Sequence, residues 1–344
     1  MFASFVLLIL AQKGLCLPSD QARSHFNWES TKHLIAFGDS YTYVQGTHGY
    51  PGYSFIGSYL PGQFAFTSEQ LLSNQIIQNF SGTAEGGPNW VEYLTGCGLQ
   101  EGLTSPSGCR LQLWDFAFAG ADISEIFTPL HHNFTTPLIN QTQQFLTYAH
   151  PVLTKQPSFN QDHALVAIWI GINDIGDSKK YNVSFPDFYN SLWDAVFTQG
   201  VQPLFHAGYR NFILVNLPPL DRTPSNINNA NPLPNKEMIK WFGNSQARHS
   251  EAFAAAYPTA KAMIFDANTF LNNILDSPTS YGISNTTGYC AAYTNADVLA
   301  DPSKYGCKPI DEYFWFNSGH MTSHIHKLLA PQIAQFLEEQ SRPC

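Results

Sequence analysis

Hydrophobic side chains along this chain gather in short blocks that Gly, Pro, Asn and Asp interrupt. The apolar run from His33 to Phe37 is broken by Gly38 and Asp39 and predicts a first strand over residues 32–37. Leu111 to Phe118 alternates in part and predicts a second strand, stopped by Ala119-Gly120. His163 to Ile170 is a nearly continuous apolar run, the pattern of a strand buried on both faces, and Gly171-Ile-Asn-Asp174 breaks it. Asn211 to Leu217 predicts another buried strand that Pro218-Pro219 cannot extend, and Lys261 to Phe265 a short fifth one.

Between these blocks the period lengthens. Helical spacing is expected over residues 138–154, through Leu138, Phe145 and Leu146, and again over Phe185 to His206, Lys236 to Tyr257 and Thr322 to Glu339. Residues 43–109 are rich in Gly, Pro, Ser, Asn and aromatics and show little periodicity. A bare loop of that length is uncommon in a compact fold, so short helices are expected there. Pro88 to Leu94 is one, with Trp90, Val91 and Leu94 on one face. Residues 221–234 form a Pro/Asn-rich loop. Alternating strands and helices, with buried strands, predict a parallel sheet with helices on both faces, in one domain. Ligands of such folds bind beyond the carboxyl ends of the strands.

Composition narrows the setting. The chain has 344 residues, 17 Lys plus Arg against 26 Asp plus Glu, and a net charge of -9 without any run of like charge. That balance argues against nucleic acid and against an anionic membrane surface as partners. Met1 to Ala11 is apolar, too short to span a bilayer, and followed by Gly14 and Cys16, so residues 1–16 are expected to be a signal peptide. Cleavage after Ala11 competes with cleavage after Cys16. Asn-x-Ser/Thr sites stand at Asn79, Asn133, Asn140, Asn182 and Asn285, which also favours secretion. None of the six cysteines has a C-x-x-C spacing. Local pairs Cys97–Cys109 and Cys290–Cys307 are the expected disulfides, each contributing about 3 kcal/mol at best. Cys344 is then unpaired unless Cys16 survives in the mature chain.

The chemistry gathers at the strand ends. Ser40 follows the first strand, Gly120 the second, Asn173 the third, and His320 lies near the C-terminus. Taken singly, Ser40 and Gly120 are turn residues, Asn173 caps the helix or turn after its strand, and His320 is one of 12 histidines. Taken together they supply what acyl transfer needs: a nucleophile, a base, and donors at Ser40 N–H, Gly120 N–H and the Asn173 amide for a developing oxyanion. His324, four residues after His320, mimics a metal pair, yet no carboxylate or third histidine stands at the right spacing. Tyr41, Tyr43, Tyr50, Tyr53, Phe55 and Tyr59 either stack on a sugar or cover the core.

Phe37-Gly-Asp-Ser40, Phe118-Ala-Gly120, Gly171-Ile-Asn173-Asp174 and His320-Met-Thr-Ser together resemble the four blocks of the SGNH (GDSL) hydrolase family of esterases and lipases. Gly87 to Leu94 and Asn216-Leu-Pro-Pro-Leu220 are similar to intervening segments of plant and fungal members, so the resemblance spans about residues 32 to 335. The size, the secretion signals and Phe314-Trp-Phe are most similar to fungal carbohydrate acetylesterases that act on short xylan-derived sugars. The resemblance implies a three-layer, flavodoxin-like parallel sheet of about five strands and one hydrolase domain over residues 17–344. It implies Ser40 as nucleophile, His320 as base, and Ser40, Gly120 and Asn173 as the oxyanion hole. It implies neither cofactor nor metal, and a secreted monomer acting on small or oligosaccharide acetyl esters without a stable membrane anchor. A lipase for longer acyl chains and a silent glycan-binding member are the alternatives.

One departure matters. The family pattern Asp-x-x-His here reads Asn317-Ser-Gly-His320. An amide carbonyl can still accept from the imidazole, but it brings no charge, and in a serine protease the acid-to-amide change costs about 10⁴ in turnover, chiefly through the wrong tautomer. Three expectations stand: orientation by Asn317 or a main-chain carbonyl, a substitute acid such as Asp311 or Glu312, or a weak or silent enzyme.

Overall fold

Five apolar blocks form one sheet, and every pairing in it is parallel: β1 (His33–Gly38), β2 (Gln112–Asp115), β3 (Ala164–Trp169), β4 (Asn211–Val215) and β5 (Lys261–Phe265). The computed structural model describes residues 26–57 and 65–342. Strand order is β2-β1-β3-β4-β5, the flavodoxin-like order that the resemblance implies. β1, β3 and β4 are buried at every position, which only helices on both faces can achieve.

Eleven helices surround the sheet among the described residues. They are α1 (Ser68–Ser73), α2 (Trp90–Thr95), α3 (Leu138–Gln144), α4 (His150–Leu153), α5 (Ile172–Ser178), α6 (Phe185–Ala195), α7 (Gln202–His206), α8 (Pro224–Ile227), α9 (Lys236–Ala256), α10 (Ala267–Asp276) and α11 (Ser323–Gln340). α6 packs on α9, whereas α2 and α10 pack on α11. α2 starts at Asn89, which forms a reciprocal capping box with Glu92, and ends at Gly96 in the left-handed region.

The strands lie where the apolar pattern puts them, and the helices differ in four ways. The predicted helices over 138–154 and 185–206 each contain a π turn, Phe145–Ala149 and Val196–Val201. Each turn runs up to a proline, Pro151 or Pro203, which has no N–H to donate and whose ring would strike the carbonyl four residues back. α5 and α10 were not anticipated, and α8 and a 3₁₀ turn at Leu220–Arg222 occupy the start of the expected loop. In α2 the buried set is Trp90, Val91, Glu92 and Thr95, with Leu94 only half-buried. Disulfides join Cys97 to Cys109 and Cys290 to Cys307. The signal peptide, Cys16, Tyr59 and Cys344 lie outside the described residues.

Chain direction across the sheet reverses between β1 and β3, and that is where a crevice opens in such folds. Gly38, the last residue of β1, pairs with Trp169, the last of β3. A Cβ on Gly38 would stand 2.2 Å from the Trp169 carbonyl oxygen. Gln141 of α3 clamps the same glycine, accepting from its N–H at 3.0 Å and donating to its carbonyl at 2.8 Å. Glycine is therefore required for β1 to deliver Ser40 beside the end of β3. Gly38→Ala is expected to cost at least about 1–3 kcal/mol, as overpacking of a filled core does; urea unfolding of the variant against wild type measures it.

Candidate active site

The turn after β1 is organised by Asp39. Its carboxylate accepts from Tyr41 N–H at 3.0 Å, and its carbonyl accepts from the N–H groups of Thr42 and Tyr43, each at 3.1 Å. Asp39 is wholly buried, and burial pushes its carboxyl up to about 7. With the next three N–H groups taken, that of Ser40 itself is used by no hydrogen bond among the described residues.

The loop after β2 repeats the device. Ala119 N–H donates to Tyr53 O at 2.9 Å and Ala121 N–H to Phe118 O at 3.0 Å, which leaves Gly120 N–H between them without an acceptor among the described residues. Gly120 adopts φ +79°, a conformation that glycine takes without strain. After β3, Gly171 at φ +109° starts α5, and a Cβ there would strike Phe242 at 2.1 Å. Asn173 does not cap this helix. Its Nδ2 donates to Ala121 O at 2.9 Å, so one amide proton holds the Gly120 loop and the other is free for a ligand. Asp174 beside it accepts from Ile123 N–H at 3.0 Å and ties the same two segments.

His320 joins Ser40 from the C-terminal side. Its Nε2 lies 2.8 Å from Ser40 Oγ, and its Nδ1 lies 3.0 Å from Asn317 Oδ1. Gly319 N–H and His320 N–H also donate to Asn317 Oδ1, at 3.0 and 2.9 Å. Main-chain N–H groups can only donate, so the atom they face is the oxygen and not the NH₂. An oxygen facing Nδ1 requires Nδ1 to carry the proton, which leaves Nε2 bare toward the serine hydroxyl. That is the tautomer a general base needs. The segment is pinned further by Phe316 N–H donating to His320 O at 2.8 Å and by Tyr41 Oη donating to Gly319 O at 2.5 Å.

Of the three expectations for the histidine partner, the geometry matches the first. Glu312 accepts from Ser284 Oγ instead, Asp311 is exposed, and neither has a hydrogen bond to His320. Burial of the His320 ring, against which Tyr41 packs at 5.3 Å between centroids, pushes its pKa down to about 4. Neutral Asn317 supplies no counter-charge to raise it. His324 contacts Tyr281 O rather than a metal partner. His326 is wholly buried behind Tyr41, with Nδ1 accepting from Trp90 N–H at 3.3 Å. Tyr41, Tyr43 and Phe55 are core residues, whereas half-buried Tyr50 and Tyr53 pack on Phe134 at 4.3 and 5.0 Å.

A family model described as GDSL-like Lipase/Acylhydrolase matches residues 34–333. The chain is 30% identical over 314 residues to an acetylesterase of Thermothelomyces thermophilus, covering 89% of this chain and 88% of that one. It is 24% identical over 348 residues to an acetylesterase of Hypocrea jecorina, covering 90% of each. Among solved structures, an aryl esterase of M. smegmatis is similar with TM-score 0.40 and 13% identity, covering 90% of this chain and all of that one. A catalytic mutant of an acetylxylan esterase from Geobacillus stearothermophilus is similar with TM-score 0.38 and 14% identity, over 91% and 97% of the two chains.

A serine hydroxyl hydrogen-bonded to a bare imidazole nitrogen, as Ser40 is to His320, gains nucleophilicity only while that imidazole is neutral. Labelling of Ser40 by a fluorophosphonate is expected to stay constant from pH 8 to about 5 and to fall only as pH drops through about 4. Asn317→Asp sets a carboxylate against the ring, favours the charged imidazole, and is expected to move that fall upward by about one pH unit or more. Labelling rate against pH for both proteins measures the shift.

Proposed function

The chain belongs to the GDSL-like lipase/acylhydrolase family, and from that premise we propose that it cleaves short-chain esters, acetyl esters of plant cell-wall oligosaccharides above all, through an acyl-enzyme on Ser40. It is a carboxylic ester hydrolase. The observation that carries the mechanism is the pair of contacts on His320, 2.8 Å to Ser40 Oγ and 3.0 Å to Asn317 Oδ1.

Ser40 Oγ attacks the ester carbonyl carbon while His320 Nε2 takes its proton. Charge that develops on the carbonyl oxygen meets the N–H groups of Ser40 and Gly120 and the free amide proton of Asn173. The tetrahedral intermediate collapses, the C–O bond to the alcohol breaks, and His320 returns the proton to the departing oxygen. Water then attacks the acyl group with His320 again as base, releasing the acid and restoring Ser40. Asn317 holds Nδ1–H throughout but leaves the imidazolium without a counter-charge. Such an imidazolium is a weak base's conjugate and a strong acid, well matched to protonating a poor alkoxide leaving group.

Acetyl preference is supported by the two fungal relatives named acetylesterase. A secreted setting is supported by the disulfides Cys97–Cys109 and Cys290–Cys307 and by the exposure of Asn79, Asn133 and Asn182. No helix among the described residues is long and apolar enough to cross a membrane. The protein acts in this proposal as a monomer on a small or oligosaccharide ester.

Ser40→Ala is expected to abolish hydrolysis of p-nitrophenyl acetate, and Asn173→Ala to cut kcat by about 10² to 10³, the loss of one oxyanion donor. Steady-state rates of the two variants measure both effects. Across p-nitrophenyl esters from acetyl to decanoyl, kcat/KM is expected to fall steeply with chain length; a rise toward decanoyl would instead identify a lipase.

A further inference from the structure

Behind Gly120 lies a group of side chains that the ester chemistry leaves unused. Asp122 follows Gly120 by two residues, Asp177 stands one helical turn beyond Asn173 on α5, and the His131 side chain packs against Gly120. His131 Nε2 is 3.1 Å from Asp177 Oδ2 and 3.8 Å from Asp122 Oδ2, and the three donor atoms lie within 4.8 Å of one another. Asp122 is wholly buried, and neither of its carboxylate oxygens has a well-aligned hydrogen bond, the Thr128 hydroxyl beside it being a poorly placed donor. Its acidic neighbours are satisfied: Asp174 accepts from Ile123 N–H, and Asp177 Oδ1 accepts from Lys180 Nζ at 2.8 Å.

A buried carboxylate without a well-aligned donor is costly, and native structures rarely leave one so. His131 answers only half of the need. Its single Nε2–H is given to Asp177, so Asp122 at 3.8 Å receives attraction without a bond. One cation between the three donors would satisfy all of them.

We propose that Asp122, His131 and Asp177 bind one Zn²⁺ that ties the Gly120 loop to the last turn of α5. One imidazole with two carboxylates selects zinc over the harder Ca²⁺ and Mg²⁺, which prefer all-oxygen cages. A tetrahedral zinc with bonds of ~2.0–2.1 Å sets its donors ~3.3 Å apart, a separation between the two His131 distances of 3.1 and 3.8 Å. The fourth position is left for water on the side of His131, whose side chain is 30% exposed against 12% for Asp177 and none for Asp122. Lys180 on the far oxygen of Asp177 orients that ligand from outside. The ion takes no part in the reaction. It fixes the separation of Gly120 and Asn173, and so departs from the metal-free expectation without altering the ester mechanism.

Untagged full-length chain stripped by chelator and titrated calorimetrically with Zn²⁺ is expected to bind one ion per chain with Kd below about 10 μM, with a rise in melting temperature. Asp122→Asn and His131→Ala are each expected to lose both effects, and His131 sits on an exposed loop where truncation spares the core. Zinc K-edge absorption of loaded wild type is expected to show about four N/O donors with a single imidazole. No binding, binding that both variants retain, or a spectrum with several imidazoles or sulfur overturns the proposal and leaves a metal-free ion-pair cluster.

Discussion

Which atom of Asn317 faces His320 decides whether this site works. An amide can turn either end to an imidazole, and the NH₂ end would force the proton onto Nε2 and leave nothing to receive the serine proton. Here the choice is made by the main chain. Gly319 N–H and His320 N–H both point at Asn317, neither can accept, and only the carbonyl oxygen satisfies them. The loss seen when an amide replaces the acid of a triad has two parts, tautomer and charge. The tight turn from Asn317 to His320 removes the first and leaves the second, so no counter-charge offsets the burial that depresses the His320 pKa.

The same economy governs the rest of the site. Asp39 absorbs the N–H groups on one side of Ser40, and Tyr53 O and Phe118 O absorb those on either side of Gly120, so the donors left over are those an oxyanion would meet. Asn173 splits its two amide protons between architecture and chemistry. Beneath this lies the contact between the ends of β1 and β3, where a glycine with no Cβ lets two backbones touch. The site is thus built from main-chain bookkeeping more than from side-chain charge.

Much of the fold was legible because strands buried on both faces write themselves as unbroken apolar runs ended by Gly or Pro. The five strands and the order in which Ser40, Gly120, Asn173 and His320 fall at their ends followed from that pattern. α5 was not legible: seven residues after a glycine carry too few turns to show a periodicity. The π turns were signalled by Pro151 and Pro203, which the helical pattern around them masked. Asn317 could be seen as a departure, but the bonds that turn its oxygen to the ring depend on the fold of a four-residue turn. His131 stood in a loop with nothing local to set it apart; only tertiary packing brings it to Asp122 and Asp177. The contact of His326 was likewise hidden, since its partner Trp90 lies 236 residues away.

The central claim is that Asn317 holds His320 in a single neutral tautomer. Nitrogen-15 NMR of the imidazole, with His320 assigned by comparison with His320→Gln, reports it directly. Between pH 5 and 8 the account predicts one neutral form with the proton on Nδ1 and a bare Nε2. A proton on Nε2, or a mixture of the two tautomers, would contradict it.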